Sequence, residues 1–229
     1  MPNSIQKIYT EIPKTYELIN HILTLGFDIY CRKKAVKAAL ADGGTNFLDI
    51  CSGTGEIACY LKSRSNGTRV IATDFSIPMM KIGAAKTGAN DISFVASEAG
   101  NLPFHNDYFD LITISFATRN INKNRQGLVE YFNEFRRILK PGGRFINLET
   151  SRPPNRAIRK LMDLYVNITV KWIGRSISRS KYGYNFLANT IPRFYNAKEL
   201  SALLREAGFS EVHEHPMFFG AAAIHKAIK

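Results

Sequence analysis

The chain has 229 residues, 45% of them hydrophobic and 22% charged, which is enough to bury one substantial core and makes a single domain the default. Its 31 Lys and Arg against 19 Asp and Glu leave a net charge of +12, pointing to an anionic partner: nucleic acid, an anionic membrane surface or an acidic substrate. Cys31, Cys51 and Cys59 make neither an even disulfide framework nor a CxxC pair, no metal site follows, and no apolar window reaches a membrane span or a signal-peptide core, so the expectation is a cytoplasmic chain.

In chain order, residues 14 to 40 carry apolar positions at helical spacing (Tyr16, Ile19, Leu23, then Val36 and Leu40) and predict two helices that stop at Asp42-Gly43-Gly44. Four short apolar runs follow, at 47–50, 69–74, 92–97 and 109–116, each suited to a buried strand. A helix from Leu128 to Leu139 and the breaker Lys140-Pro141-Gly142-Gly143 precede a fifth strand at 144–149. Helices alternating with such runs are the pattern of parallel βαβ units.

An insertion opens at Arg152-Pro153-Pro154. Residues 151–183 hold Arg152, Arg156, Arg159, Lys160, Lys171, Arg175, Arg179 and Lys181 against Asp163 alone, more than half of the chain's net charge. Asp163, Asn167 and Lys171 form one helical stripe, and apolar residues cover the remaining circumference. Such a helix either packs on the core as a cap or meets a lipid tail. The chain closes with a helix at 197–207, Gly208, and an antiparallel hairpin of 211–215 and 221–228 split by Pro216 to Gly220.

The stretch LDICSGTGE at 48–56 carries Gly53-x-Gly55-x-x-Ala58, which meets the loose dinucleotide fingerprint. Asp49, four residues ahead of Gly53, would repel a phosphate and suits a cationic amino group or its surroundings. Asp74 ends the second strand, where a carboxylate accepts ribose hydroxyls. Glu98 follows the third, in reach of an exocyclic adenine amine. Three acids at three strand ends describe a ligand with an amino-acid end, a ribose and a purine but no phosphate; S-adenosylmethionine has those parts. Each acid also has a plain reading: Asp49 or Asp74 as a helix cap, Glu98 as surface.

The segments DICSGTGE, ATDFS, SEAGNLPF, ISFATRNI and RILKPGGRFINLE resemble class I S-adenosylmethionine-dependent methyltransferases. More narrowly, YTEIPKTYELIN (9–20), SFATRN (115–120) and YNFLANTI (184–191) are similar to signatures of the ubiquinone/menaquinone biosynthesis C-methyltransferases. The resemblance implies an α/β, Rossmann-like fold: a mostly parallel seven-stranded sheet with helices on both faces and a C-terminal antiparallel hairpin. It implies one domain, with a helical lid at 1–43, a cofactor core at 44–150, the basic insertion at 151–196 and a closing helix and hairpin at 197–229.

The activity implied is methyl transfer from S-adenosylmethionine to a ring carbon of a polyprenylated quinol precursor, demethylmenaquinol foremost. Asp49, Gly53, Thr54, Gly55, Asp74, Phe75, Glu98, Ala99 and Ser115 fall on cofactor positions. Arg119 and Tyr16 fall on catalytic ones, and Asn20, Asn120 and Tyr184 face the substrate. Arg119 would stabilise a phenolate or orient a water that takes the ring proton, its plain alternative being a structural salt bridge or backbone brace. Departures from the family pattern, at Pro13, Glu17, Cys31 and Ala117, gather on the lid and acceptor side, while Cys51 stands at a glycine position of the broad class. His213 and His215 lack a third ligand nearby, and His21 and His105 read as surface residues, with His21 a candidate base.

The implied partners are a prenylated quinol and an anionic membrane surface, with the chain peripheral at the inner face of that membrane; homo-oligomerisation stays open. Two other readings carry less: a basic RNA-binding protein, which would interleave aromatics with its basic residues or add a recognition domain, and an NAD-dependent oxidoreductase. No nucleic-acid partner and no metal are expected.

Overall fold

A computed structural model of the chain describes residues 16–176 and 190–229. Its strands are β1 (Asn46–Ile50), β2 (Arg69–Asp74), β3 (Ile92–Ala96), β4 (Phe109–Ser115), β5 (Leu139–Thr150), β6 (Glu211–Met217) and β7 (Ala222–Ile228). They form one sheet in the order β3-β2-β1-β4-β5-β7-β6. The first five run parallel, while β7 pairs antiparallel with both β5 and β6. The fold is the expected one, a mostly parallel seven-stranded sheet closed by an antiparallel hairpin.

Around the sheet lie α1 (Tyr16–Leu23), α2 (Phe27–Ala39), α3 (Glu56–Lys62), α4 (Ile77–Ala84), α5 (Thr118–Ile121), α6 (Arg125–Ile138), α7 (Arg156–Ser176) and α8 (Ala197–Glu206). Central strands are apolar throughout because helices cover both faces. Alternation divides β1: Leu48 and Ile50 pack with Phe132 and Phe135 of α6 and with Leu203 and Leu204 of α8. Phe47 faces the other way, onto Val36 and Ala39 of α2 and Ile57 and Leu61 of α3. Asp49, two residues on from Phe47, shares that second face.

The order reverses at β1. Strands β2 and β3 extend to one side of it, β4 and β5 to the other. The carboxyl ends of β1 and β4 therefore bound the crevice where open α/β sheets take their ligands.

Two elements differ from expectation. Strand β5 begins at Leu139, inside the expected helix and ahead of the breaker. Its partner register jumps from Phe109↔Leu139 to Leu111↔Arg144, so the Pro141-Gly142-Gly143 turn is an irregularity within a pairing that resumes. Strand β6 runs through Pro216, which was expected to end it. Because β6 is the sheet edge, a residue without an N–H is tolerated there.

The helix of the insertion, α7, packs little on the core through its described side chains. Of its apolar side chains that are described, only Val166 is buried; Leu161, Leu164, Tyr165 and Ile168 are exposed. No helix among the described residues is long and apolar enough to cross a membrane.

Candidate active site

After β1 the backbone turns through Cys51, Gly53 and Gly55, all with positive φ (53°, 55° and 73°). A Cβ at Gly53 would meet only Met79 at 3.5 Å, so its glycine is required by conformation and not by crowding. Cys51 adopts the same region with a side chain, at a cost of about 1 kcal/mol. The turn is pinned to its neighbours: Ser52 N–H donates to the Thr73 carbonyl (2.9 Å) and Gly55 N–H to the Ser52 carbonyl (2.8 Å).

Asp74, at the end of β2, is buried and bonded by the backbones of Gly53, Ser76 and Phe75. Gly53 N–H reaches Oδ2 and Ser76 N–H reaches Oδ1, both at 2.8 Å. With the Phe75 backbone bonding as well, the carboxylate that braces the turn keeps about one of its four acceptor sites for a hydroxyl. Burial holds its pKa above the ordinary value and Glu98 adds to the rise, against the pull of the backbone donors. The helix-cap reading is not realised: Ser76 is the N-cap of α4, which has no side-chain cap bond, and Asp74 bonds the Ser76 N–H ahead of the helix.

Asp49 is buried between β1 and the α2–α3 layer. It accepts the Thr113 hydroxyl at 2.7 Å and is also bonded by the Ala58 backbone in the first turn of α3. Burial pushes its carboxyl up to about 7; the Thr113 and Ala58 bonds and Arg32 oppose the rise, and Asp74 adds to it. Glu98 sits on the exposed loop after β3, bridged to Asn101, with Ala99 buried behind it. That the three acids converge is registered at Cys51: burial lifts its thiol well above its ordinary value, and Asp74, Asp49 and Glu98 all add to that rise.

Hydroxyls complete the crevice. Among the described residues the buried Oγ atoms of Ser52, Ser76, Ser97 and Ser115 have no hydrogen-bond partner, and they follow or end β1, β2, β3 and β4 respectively. Buried polar atoms are rarely left so, and four at adjoining strand ends mark the place of a polar ligand. A pyrophosphate fits poorly, because Glu56 occupies the first turn of α3 where a dinucleotide fold presents bare N–H groups. The acids and hydroxyls fit an amino acid and a nucleoside, the two ends of S-adenosylmethionine.

Beyond β4, Phe116 turns with a φ of 54° and short α5 carries Arg119 and Asn120. Arg119 N–H donates to Glu149 Oε2 at 3.0 Å. Its guanidinium is buried with Nε and Nη1 unpartnered among the described residues, which likewise show no salt bridge to it; there the brace is made by the backbone. A buried cation with spare donors is costly unless an anion or strong acceptor visits it.

His21, expected at most as a candidate base, forms a closed ring with three residues given no site role from the sequence, Asp28, Arg32 and Glu56. His21 Nδ1 lies 2.8 Å from Asp28 Oδ2, Arg32 Nη1 lies 2.5 Å from the same oxygen, Arg32 Nη2 lies 3.2 Å from Glu56 Oε2, and His21 Nε2 lies 3.8 Å from Glu56 Oε1. The ring ties α1 and α2 to the first turn of α3, and Arg32 also covers the Phe116 ring at 5.1 Å. Glu17, seen in the sequence only as a departure, bonds Lys86 and Thr54 of the glycine turn. His21 is therefore not the surface residue expected.

Asn20 lies between Glu17 and His21 on α1, which those two fasten against the turn. Tyr16 opens α1, one helical turn before Asn20. Tyr184, and nearly all of the 184–191 signature, lies outside the described residues. Among the described residues no group of three His, Cys, Asp or Glu could hold a metal ion.

Comparison with known proteins gives the family and the fold. A demethylmenaquinone methyltransferase of Clavibacter sepedonicus is 33% identical over 229 residues, covering 100% of this chain and 91% of its own. One of Thermus thermophilus is 34% identical over 220 residues, covering 95% and 98%. A solved structure of a SAM-dependent methyltransferase from Aquifex aeolicus matches with a TM-score of 0.61 at 16% identity, over 86% of this chain and 88% of that one, which establishes the fold. The model of the ubiE/COQ5 methyltransferase family matches residues 2–229, and the chain belongs to that family.

Proposed function

We propose that this methyltransferase carries a methyl group from S-adenosylmethionine to a ring carbon of a polyprenylated naphthoquinol, demethylmenaquinol, at an anionic membrane surface. The observation that carries the reading is Arg119: a buried guanidinium with spare donors, one strand end away from the acid-lined crevice. The name shared by the two relatives above supports the acceptor.

When bound, S-adenosylmethionine supplies a methyl group already activated by its sulfonium, so no strong nucleophile is demanded of the protein. Gly53 and Gly55 let the backbone approach the ligand, with Thr54 and Phe75 beside them. Asp74 accepts from the ribose on its remaining acceptor site, Asp49 lies under the cationic amino-acid end, and Glu98 takes the adenine amine beside Ala99. Ser115 offers its hydroxyl at the end of β4. Arg119 holds the quinol oxygen as its negative charge develops, which makes the ring carbon nucleophilic, and orients the water that carries off the ring proton. Asn20, Asn120, Tyr16 and Tyr184 orient the ring and exclude solvent.

Residues 1–43 act as the lid, 44–150 as the cofactor core, 151–196 as the acceptor-side insertion and 197–229 as the closing helix and hairpin. The exposed apolar residues of α7 receive the prenyl tail, with Arg156 and Lys160 exposed nearby for lipid headgroups. The test is quinone extraction from cells lacking the gene. The reading expects a menaquinone short of one methyl group by mass spectrometry; an unchanged quinone pool refutes it.

A further inference from the structure

Among the described residues the two most exposed large hydrophobics are Phe219, at 82%, and Leu25, at 72%. Both are held at positive φ, 57° and 52°, and Phe218 beside the first has 50°. Left-handed backbone is unfavourable for side chains of this size, and an apolar side chain gains nothing from water that would offset it. Strain of this kind persists where the surrounding structure imposes it for a purpose outside the fold.

The surroundings impose it here. Phe219 lies in the turn Phe218–Gly220 between β6 and β7. At Gly220 a Cβ would stand 2.9 Å from Pro154 Cδ and 3.3 Å from Pro153 Cα, so the turn is wedged against the start of the insertion. Phe218 packs inward on Phe27 (ring centroids 4.6 Å) and on Tyr30 (5.9 Å), both half-exposed residues of α2. One apolar patch therefore joins the α1–α2 corner to the hairpin tip, with Phe219 projecting from it.

Its position and charge name the partner. Thr150, the last residue of β5, pairs with Ala222, which places the tip at the carboxyl edge of the parallel strands, the edge that holds the glycine turn and Arg119. Lys33, Lys34 and Lys37 are exposed along α2, and the Lys34 ammonium stands 5.5 Å above the Tyr30 ring. Between residues 24 and 34 the one acid, Asp28, is buried in the ring with His21 and Arg32, and residues 216–223 contain none. Strained aromatics inside a cationic rim with no exposed acid suit an interface of anionic headgroups over acyl chains.

We propose that Phe219 and Leu25 are a membrane wedge that seats the carboxyl edge of the sheet on an anionic bilayer, separately from α7. This rests on the lipid-acceptor reading but names a different surface. The test is co-sedimentation with vesicles of phosphatidylglycerol and phosphatidylcholine, using Phe219→Asn and Leu25→Asn. Asn tolerates positive φ, so each variant should keep or raise the thermal midpoint while vesicle affinity falls about tenfold. Phe219→Trp should retain the affinity, and Phe219→Asn should keep methyl transfer to a soluble short-chain quinol.

Unchanged vesicle binding in both Asn variants overturns the wedge. A fall in the thermal midpoint does so too, since the side chains would then serve the fold. So does a loss of self-association in the variants, which would make a second copy the occupant. Failure of the wild type to methylate the short-chain quinol would instead refute the acceptor reading while vesicle binding still judges the wedge.

Discussion

Replacing Asp49 with Asn tests whether the site is built around a cation. Its carboxyl is held at about 7 in the fold, mainly by burial, against 3.8 for the ordinary group. Between those two values the folded chain keeps a proton that the unfolded chain has lost, so this group's contribution to stability falls as pH rises and is fully lost above about pH 7. Over the whole interval that is worth at most about 4 kcal/mol. Asn keeps an oxygen for the Thr113 hydroxyl and never ionises. At pH 8 the ligand-free variant should therefore be more stable than the wild type by about 2 kcal/mol, a rise of about 4–8 °C in thermal midpoint. At pH 5 the difference should shrink to about a third of that, and it should vanish only near pH 4. Function should move the other way: a bound cation favours ionised Asp49, so wild-type affinity for S-adenosylhomocysteine should rise from pH 5 to pH 8, with proton release detectable by calorimetry in two buffers. The variant should bind more weakly and show no such rise. A midpoint difference that does not change with pH, or equal affinity in both proteins, would refute the reasoning.

Asp74→Ala strips the acceptor from the Gly53 and Ser76 N–H groups; ligand-free stability should fall by about 2 kcal/mol and the stabilisation by S-adenosylhomocysteine should disappear, while a preserved ligand shift would remove Asp74 from the ribose role. Arg119→Ala should keep that ligand shift and lose at least about a hundredfold in turnover, because it removes a charge-stabilising donor and no cofactor contact; equal loss of both would make Arg119 structural. Arg32→Ala leaves Asp28 and Glu56 without their common cation and should cost about 3 kcal/mol in unfolding free energy by denaturant titration; a cost under about 1 kcal/mol would mean that the ring does not hold the helices.

The sequence yields the parallel core readily because its strands are buried on both faces and read as unbroken apolar runs; β2 falls at 69–74 as expected. The three acids are visible for a related reason, each standing at or just past the end of such a run. The ring of His21, Asp28, Arg32 and Glu56 is hidden because its closure joins helices 24 or more residues apart in the chain, and a basic cluster looks like a solvated face until its partners are placed. Strand β6 hides for a local reason, since Pro216 breaks a strand anywhere but at an edge. The α7 pattern is a sharper case. Apolar residues around most of a helix argue for burial, yet Leu161, Leu164, Tyr165 and Ile168 are exposed, so helical pattern alone misreads this element.

The central claim is tested most directly by incubating the purified protein with S-adenosylmethionine labelled in its methyl group and with demethylmenaquinol in mixed micelles, then locating the label by mass spectrometry and NMR. The account predicts one labelled methyl on the quinol ring carbon, formed by the wild type and lost in Arg119→Ala. Label on an oxygen of the ring, or no transfer under conditions where S-adenosylhomocysteine binds, would contradict it.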